Sequence, residues 1–203
     1  MTDKKLNGEL EEFSYALGMS IAANLIQTGV KTVNPEVFLD GFTDVFKGNH
    51  PKIHPEDANQ ILESFIAGIN QNKGDQNLED GQRFLAENKK VSGVTELPSG
   101  LQYSVLKEGD GDIPSAQNQV KCHYHGTLID GTIFDSSIQR GKPAVFPVNG
   151  VIQGWVEALQ LMPVGSKWRL FIPSHLAYGK HGAGSVIGPD MTLIFDVELL
   201  EII

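Results

Sequence analysis

The chain has 203 residues, 40% of them hydrophobic and 20% charged, with a formal net charge of −9. This balance supports buried cores and excludes wholesale disorder, while the acidic excess argues against binding a phosphate backbone, which needs clustered Lys and Arg. One cysteine, Cys122, cannot close an internal disulfide, and neither an apolar leader nor a membrane-length apolar run is visible, so a soluble cytoplasmic protein without nucleic-acid or membrane partners is expected.

In chain order, helical signals come first. Leu10, Phe13, Leu17, Ile21 and Leu25 recur at three- and four-residue steps and predict an amphipathic helix. Asn34-Pro35-Glu36 opens a second, with Asn as cap, Pro in the first turn and an acid behind it. Its stripe is Phe38, Phe42, Val45 and Phe46, and Lys47-Gly48-Asn49 ends it. A third begins near Pro55-Glu56-Asp57 and carries Ala58, Ile61, Leu62, Phe65, Ile66 and Ile69. Residues 70–83 then lose the apolar face and contain Gly74 and Gly81, each costing a helix about 1 kcal/mol relative to Ala. This polar stretch reads as a loose linker or as a solvated helix between two bodies; the reading preferred is a bent helix, roughly 55 Å long if it runs from 55 to 92. The expected organisation is a helical domain over 1–54, a long connecting helix over 55–93 and a β-rich domain over 94–203. The helical stripes make a thin core for one chain, so pairing with a second copy in a C₂ homodimer is expected. The alternative is packing onto the C-terminal half, which the polar stretch disfavours by holding the halves apart.

Beyond Leu97-Pro98-Ser99-Gly100 the pattern switches to strands. Leu101–Leu106 is one; in Val120–His125, alternation sets Val120, Cys122 and Tyr124 on one face and Lys121, His123 and His125 on the other. Cys122 then reads as a small buried apolar residue, and the two histidines as solvent-facing rather than metal-binding. Asp130-Gly131 is a hairpin turn, and strands follow around Phe146, over Ser166–Pro173 and over Thr192–Leu200. Between them, Val151-Ile152-Gln153-Gly154-Trp155 sets a tryptophan on the first turn of a short helix. Alone, such a Trp reads as a core plug; ringed by other aromatics, it reads as the floor of an apolar pocket. The expected class is α+β: an antiparallel sheet with one short helix across a face, preceded by an all-α region.

Tyr124-His125-Gly126, Asp130-Gly131, Phe134-Asp135-Ser136-Ser137, Val151-Ile152-Gln153-Gly154-Trp155, Ala177-Tyr178-Gly179 and Leu193–Leu199 resemble, in order and spacing, the FKBP-type peptidyl-prolyl cis-trans isomerases. The N-terminal helices resemble the dimerisation segment of the two-domain, Mip-like bacterial subfamily. The resemblance implies a half-wrapped antiparallel sheet and a pocket closed by the Trp155 helix. It implies catalytic roles for Asp135, Tyr178, Phe134 and Tyr124, and substrate binding by Phe146, Val151, Ile152, Trp155, Val186, Ile187 and Phe195. Partners implied are unfolded or partly folded proline-containing polypeptides, macrolides of the tacrolimus and rapamycin type, and a second copy through the N-terminal helices. No cofactor or metal is implied. Two departures stand out: Ala144 occupies a position aromatic in small single-domain members, predicting a lower wall, and the loop His181–Pro189 is rich in glycine.

The chemistry expected of such a pocket is rotation of an X–Pro amide by desolvation and twisting, with chaperone character from the dimer. Asp135 has no obvious proton to take. It either orients Tyr124 or Arg140, polarises the amide, or is a plain surface carboxylate. Tyr178 O–H and the Ile152 N–H are candidate donors to substrate carbonyls. The alternative of a different class is a non-catalytic, proline-dependent chaperone or docking module.

Overall fold

A computed structural model describes residues 6–203, and among them are four α-helices and one seven-stranded antiparallel sheet. The chain divides into two compact units, one reaching Gln71 and the other Asn72–Ile203. The α+β class expected from the sequence is the one observed.

The first unit holds α1 (Glu9–Gln27), α2 (Pro35–Lys47) and the opening turns of α3 (Pro55–Asn88). Glu9, Glu11 and Glu12 sit in the first turn of α1, where the helix dipole favours negative charge. The Asn34 side chain accepts the N–H groups of Glu36 and Val37 at 3.1 and 3.2 Å, Pro35 needs no partner there, and Gly48 closes α2 in the left-handed region at φ 66. These helices bury little. Val30 is the sole buried hydrophobic side chain among the described residues of this unit, while Phe13 and Phe46 are 64% and 75% exposed.

Helix α3 is continuous through residues 70–83, so the choice between linker and helix falls to helix; it ends at Asn88, and the chain turns through Gly93 at φ 85. The expectation that this polar stretch merely spaces two bodies is corrected by its contacts within the second unit. The buried residues of α3 are Gly74 and Gly81, and a Cβ on Gly81 would lie 2.3 Å from Thr192 Oγ1. An apolar stripe is missing because the contact is made by bare backbone. Further along, Phe84 packs on Phe171 with ring centroids 6.0 Å apart. The fully buried Gln102 amide donates to Leu85 O and Glu96 Oε1 and accepts from Asn88 Nδ2, so no polar atom of that side chain is orphaned.

The sheet comprises β1 (Val94–Glu96), β2 (Gln102–Lys107), β3 (Gln119–Leu128), β4 (Ile133–Ser136), β5 (Ala144–Pro147), β6 (Lys167–Ile172) and β7 (Leu193–Ile202), in the order β1-β2-β6-β7-β3-β4. β5 pairs with the first half of β3 and β4 with its second half. In β7, Leu193, Phe195, Val197 and Leu199 are buried and the residues between them are not, the period-2 pattern of a strand with one core face. Each such side chain stabilises the fold by about 1.5–3 kcal/mol. Across that face lies α4 (Gln153–Leu159), where Gly154 permits close approach: a Cβ there would stand 2.5 Å from Ile172 Cγ2. His123 and His125 depart from the solvent-facing expectation. Both are half-buried, with Nδ1 3.0 Å from Ser137 Oγ and Ser136 Oγ respectively, because the end of β4 pairs alongside this part of β3 and Ser137 N–H donates to Tyr124 O.

Candidate active site

Because Gly154 sits flush on β6, the next residue, Trp155, is driven between α4 and the sheet and is only 4% exposed. Three rings meet it edge-on: Tyr124 of β3 at 5.5 Å, Phe146 of β5 at 5.4 Å and Phe195 of β7 at 5.2 Å between centroids, with interplanar angles of 84°, 71° and 84°. Edge-to-face packing of this kind sets the positive ring edge against a π face. Phe134 of β4 completes the set, T-shaped on Phe195 at 5.2 Å. That contact depends on Gly126, where a Cβ would come within 2.6 Å of the Phe134 ring and 2.9 Å of Phe195.

These side chains enclose a cavity of about 760 Å³. Tyr124, Phe134, Phe146, Trp155 and Phe195 form its aromatic part. Val151 and Ile152, on the approach to α4, form one side; Val186 and Ile187 form the loop side, with Asp135 and Tyr178 at other points of the lining. The eleven residues singled out from the sequence therefore come together at one place. Gly150, Ala183, Gly184 and Ser185 also line it and were missed; small residues carry no chemical signal, and only the glycine-rich composition of the loop hinted at them. Ala144 pairs with Cys122 in β5 and does not reach the cavity, so Phe146 is the contribution of that strand.

The polar groups form one compact set. Tyr124 O–H donates to Asp135 Oδ2 at 2.5 Å, Arg140 donates to Asp135 Oδ1, and Arg140 Nη2 donates to Tyr124 Oη at 2.7 Å. The guanidinium carbon also lies 5.5 Å from the Tyr124 ring centroid. Burial by itself would raise the Asp135 carboxyl, but hydrogen bonds from Tyr124 and Arg140 together with the guanidinium charge outweigh it and hold the group below the ordinary carboxylate range. Tyr124 is pushed up, first by burial and then by its bond to the carboxylate. Asp135 is thus an anion at neutral pH with both oxygens accepting hydrogen bonds, and it holds Tyr124 in place. Among the donors at the cavity without an acceptor in the protein are Tyr178 O–H and the Ile152 N–H. Trp155 Nε1 is buried without a partner as well. Cys122 is fully buried in the hydrophobic core, and desolvation raises its thiol to about 12.

The family model described as FKBP-type peptidyl-prolyl cis-trans isomerase matches residues 111–200, and the domain amino terminal to FKBP-type peptidyl-prolyl isomerase matches residues 10–105. The FKBP-type 22 kDa peptidyl-prolyl cis-trans isomerase of Escherichia coli (strain K12) is 45% identical over 193 residues, covering 94% of each chain. Outer membrane protein MIP of Legionella longbeachae is 40% identical over 205 residues, covering 97% of this chain and 87% of that one. The crystal structure of FkpA from Escherichia coli matches at a TM-score of 0.73 and 33% identity, over 98% of both chains.

These relatives overturn the expected cytoplasmic location, since a full-length one is named as an outer membrane protein. The cysteine count behind that expectation does not separate compartments, since a single buried thiol needs no reducing environment. Among the described residues no helix is long and apolar enough to cross a membrane. With the aromatic cavity, both family models and full-length relatives in agreement, the chain belongs to the FKBP-type peptidyl-prolyl cis-trans isomerases, in the two-domain bacterial group of Mip and FkpA, and is an enzyme of that activity.

Proposed function

We propose that the cavity accelerates X–Pro rotation by drying and twisting the amide, and that the chain works as a homodimer on folding polypeptides. The uncatalysed barrier is about 18–20 kcal/mol, because amide resonance is lost on rotation. The planar amide is the more dipolar form and is better solvated by water, whereas the twisted C–N unit is less polar. A site that excludes water favours the twisted form differentially, and no nucleophile or proton relay is required. The observation that carries this reading is the floor itself: Trp155 at 4% exposure with three rings edge-on to it leaves a dry surface matched to a proline ring.

Around that floor, Phe146, Val151, Ile152 and Phe195 hold the proline, and Phe134 and Tyr124 flank the rotating amide. Val186 and Ile187 meet the residue on the other side. Tyr178 O–H and the Ile152 N–H donate to substrate carbonyls, a role supported by their lack of partners in the protein. Asp135, ionised and hydrogen-bonded at both oxygens, acts by fixing Tyr124 and by its field, not as a base. The same apolar cavity suits macrolides of the tacrolimus and rapamycin type.

The reading assigns dimerisation to 1–54, connection to 55–93 and isomerisation to 94–203. Exposed phenylalanines on α1, α2 and the start of α3 support a C₂ interface, since a monomer leaves them in water. Two sites on one dimer raise the effective concentration of a bound chain at the second site, which gives chaperone character. The test has two arms. In a protease-coupled X–Pro assay, Asp135→Ala and Tyr178→Phe are expected to fall below a robust wild-type rate; full activity in both would sink the roles given to them. Removing residues 1–71 is expected to spare peptide turnover and to cut refolding catalysis severalfold; an equal modest loss in both would rule out avidity.

A further inference from the structure

The second unit begins with a helix that has placed two glycines where alanine would be more stable by about 1 kcal/mol each. Gly74 and Gly81 are two turns apart, so they share a face, with Asn77 between them on the same side. All three meet one short segment. A Cβ on Gly74 would lie 3.0 Å from Asp190 Oδ2 and 3.5 Å from Pro189 Cβ, and one on Gly81 would collide with Thr192 Oγ1. Asn77 Nδ2 donates to Pro189 O at 2.8 Å across 112 residues of sequence.

That segment is the outgoing leg of the loop that walls the cavity. The loop is pinned at its neck, where Asp190 N–H donates to Gly179 O at 2.9 Å, with Asp190 itself in the left-handed region at φ 54. Inside it, Ala183 and Ile187 exchange two backbone hydrogen bonds of 2.8 and 3.2 Å, and the residues from Ala183 to Ile187 line the cavity. Gly182 makes this hairpin possible, since a Cβ there would stand 2.2 Å from Ile187 O. Loops rich in glycine are costly to order. Pro189 lies two residues from Ile187 and has no N–H of its own, so its carbonyl is the polar handle the backbone presents at that point.

We propose that the α3 face Gly74–Asn77–Gly81 is the outer brace of the cavity loop, and that Asn77 is a positioning residue for substrate binding. It does not line the cavity. It acts through Pro189 on Ile187 and Val186, lowering the entropy cost of presenting them, and the two glycines let the helix come close enough for that one hydrogen bond. The inference rests on the reading that Val186 and Ile187 touch substrate, and adds a residue outside the cavity that sets how well they do so. A brace on a binding wall changes substrate affinity more than the rate of the bound amide.

The experiment uses the full chain with Asn77→Ala and the near-isosteric Asn77→Asp, which removes the donor while keeping the shape. Amide hydrogen exchange is followed at Ala183 and Ile187 and, as a reference, along β7. KM and kcat are measured on an X–Pro peptide. Expected in both variants are faster exchange at Ala183 and Ile187 with β7 unchanged, and a KM raised about 2- to 10-fold at constant kcat, the range for losing one neutral hydrogen bond. Unchanged loop exchange overturns the brace whatever the kinetics. A loosened loop with unchanged KM overturns the contact of Val186 and Ile187 with substrate, and the inference with it. Exchange that rises equally in the loop and in β7 marks a global loss of stability and also overturns the proposal.

Discussion

Replacing Trp155 by Leu sets two opposed terms against each other. The indole makes edge contacts with Tyr124, Phe146 and Phe195. At about 0.5–1.5 kcal/mol each beyond area burial, together they contribute roughly 1.5–4.5 kcal/mol. Against this, Trp155 Nε1–H is buried with no acceptor, a cost of about 1–3 kcal/mol that the substitution removes. Leu also leaves a void, whose cost grows with its volume because the rigid sheet and α4 collapse only in part. The contacts and the void outweigh the relief, and the net expectation is a loss of about 2 kcal/mol. The chain has two tryptophans, Trp155 and Trp168, so in the variant Trp168 alone reports denaturant unfolding of the second unit. Trp155→Phe, which keeps a ring and has no N–H to orphan, is expected to lose less than the Leu variant. On an X–Pro peptide the Leu variant is expected to raise KM by more than it lowers kcat, since in the proposed function the floor holds proline in both ground and transition state. A Leu variant within about 0.5 kcal/mol of wild type, the range of an ordinary surface change, would refute this reasoning. So would a collapse of kcat at constant KM.

Gly126→Ala drives a methyl into Phe134 and Phe195 and is expected to cost about 1–3 kcal/mol and weaken peptide binding; a calorimetric Tm equal to wild type would contradict the packing described. Cys122 is expected to resist iodoacetamide at pH 8 in the native protein and to react on unfolding, as read by mass spectrometry; stoichiometric native labelling would show that the thiol is not buried. Its thiol is raised in the fold from 9.0 to about 12, so the contribution it makes is complete below pH 9 and is lost as pH climbs to about 12; stability of Cys122→Ala relative to wild type is expected to improve across that window. Asp135 has the opposite sign: its pKa is lowered from 3.8, so its contribution is present above that value and disappears as pH falls through the native one. Asp135→Asn is expected to remove this part of the acid dependence, by a small amount because the Arg140 pair is largely exposed, and an unchanged acid limb in denaturant titrations would refute the assignment.

Most of the cavity lining was legible because its residues are large, and because strand period and helix caps leave clear marks. Alternation in Val120–Tyr124 puts Tyr124 inward, and Asn34-Pro35 with Gly48 marks both ends of α2 in the sequence itself. What escaped was structure made by the absence of a side chain. Gly74 and Gly81 read as helix weakeners, yet they are the buried residues of α3, and a contact made by backbone leaves no hydrophobic period to detect. Ala183, Gly184 and Ser185 were hidden for the same reason. His123 and His125 fell correctly on the face away from Val120, but their serine partners, Ser136 at the end of β4 and Ser137 just after it, depend on a strand pairing that no spacing within β3 reveals. Location was misread because cysteine count and leader signals describe how a chain is handled, not how it folds.

The central claim is that the cavity works by desolvation and fixed geometry, without proton transfer. It is tested most directly by the pH and solvent-isotope dependence of kcat/KM for X–Pro isomerisation. Asp135 is held low and Tyr124 high, so neither titrates near neutrality. A flat profile between about pH 5 and 9 and equal rates in H₂O and D₂O are therefore predicted. A bell-shaped profile, or a rate about twofold or more slower in D₂O, would contradict the account and restore a catalytic proton to the site.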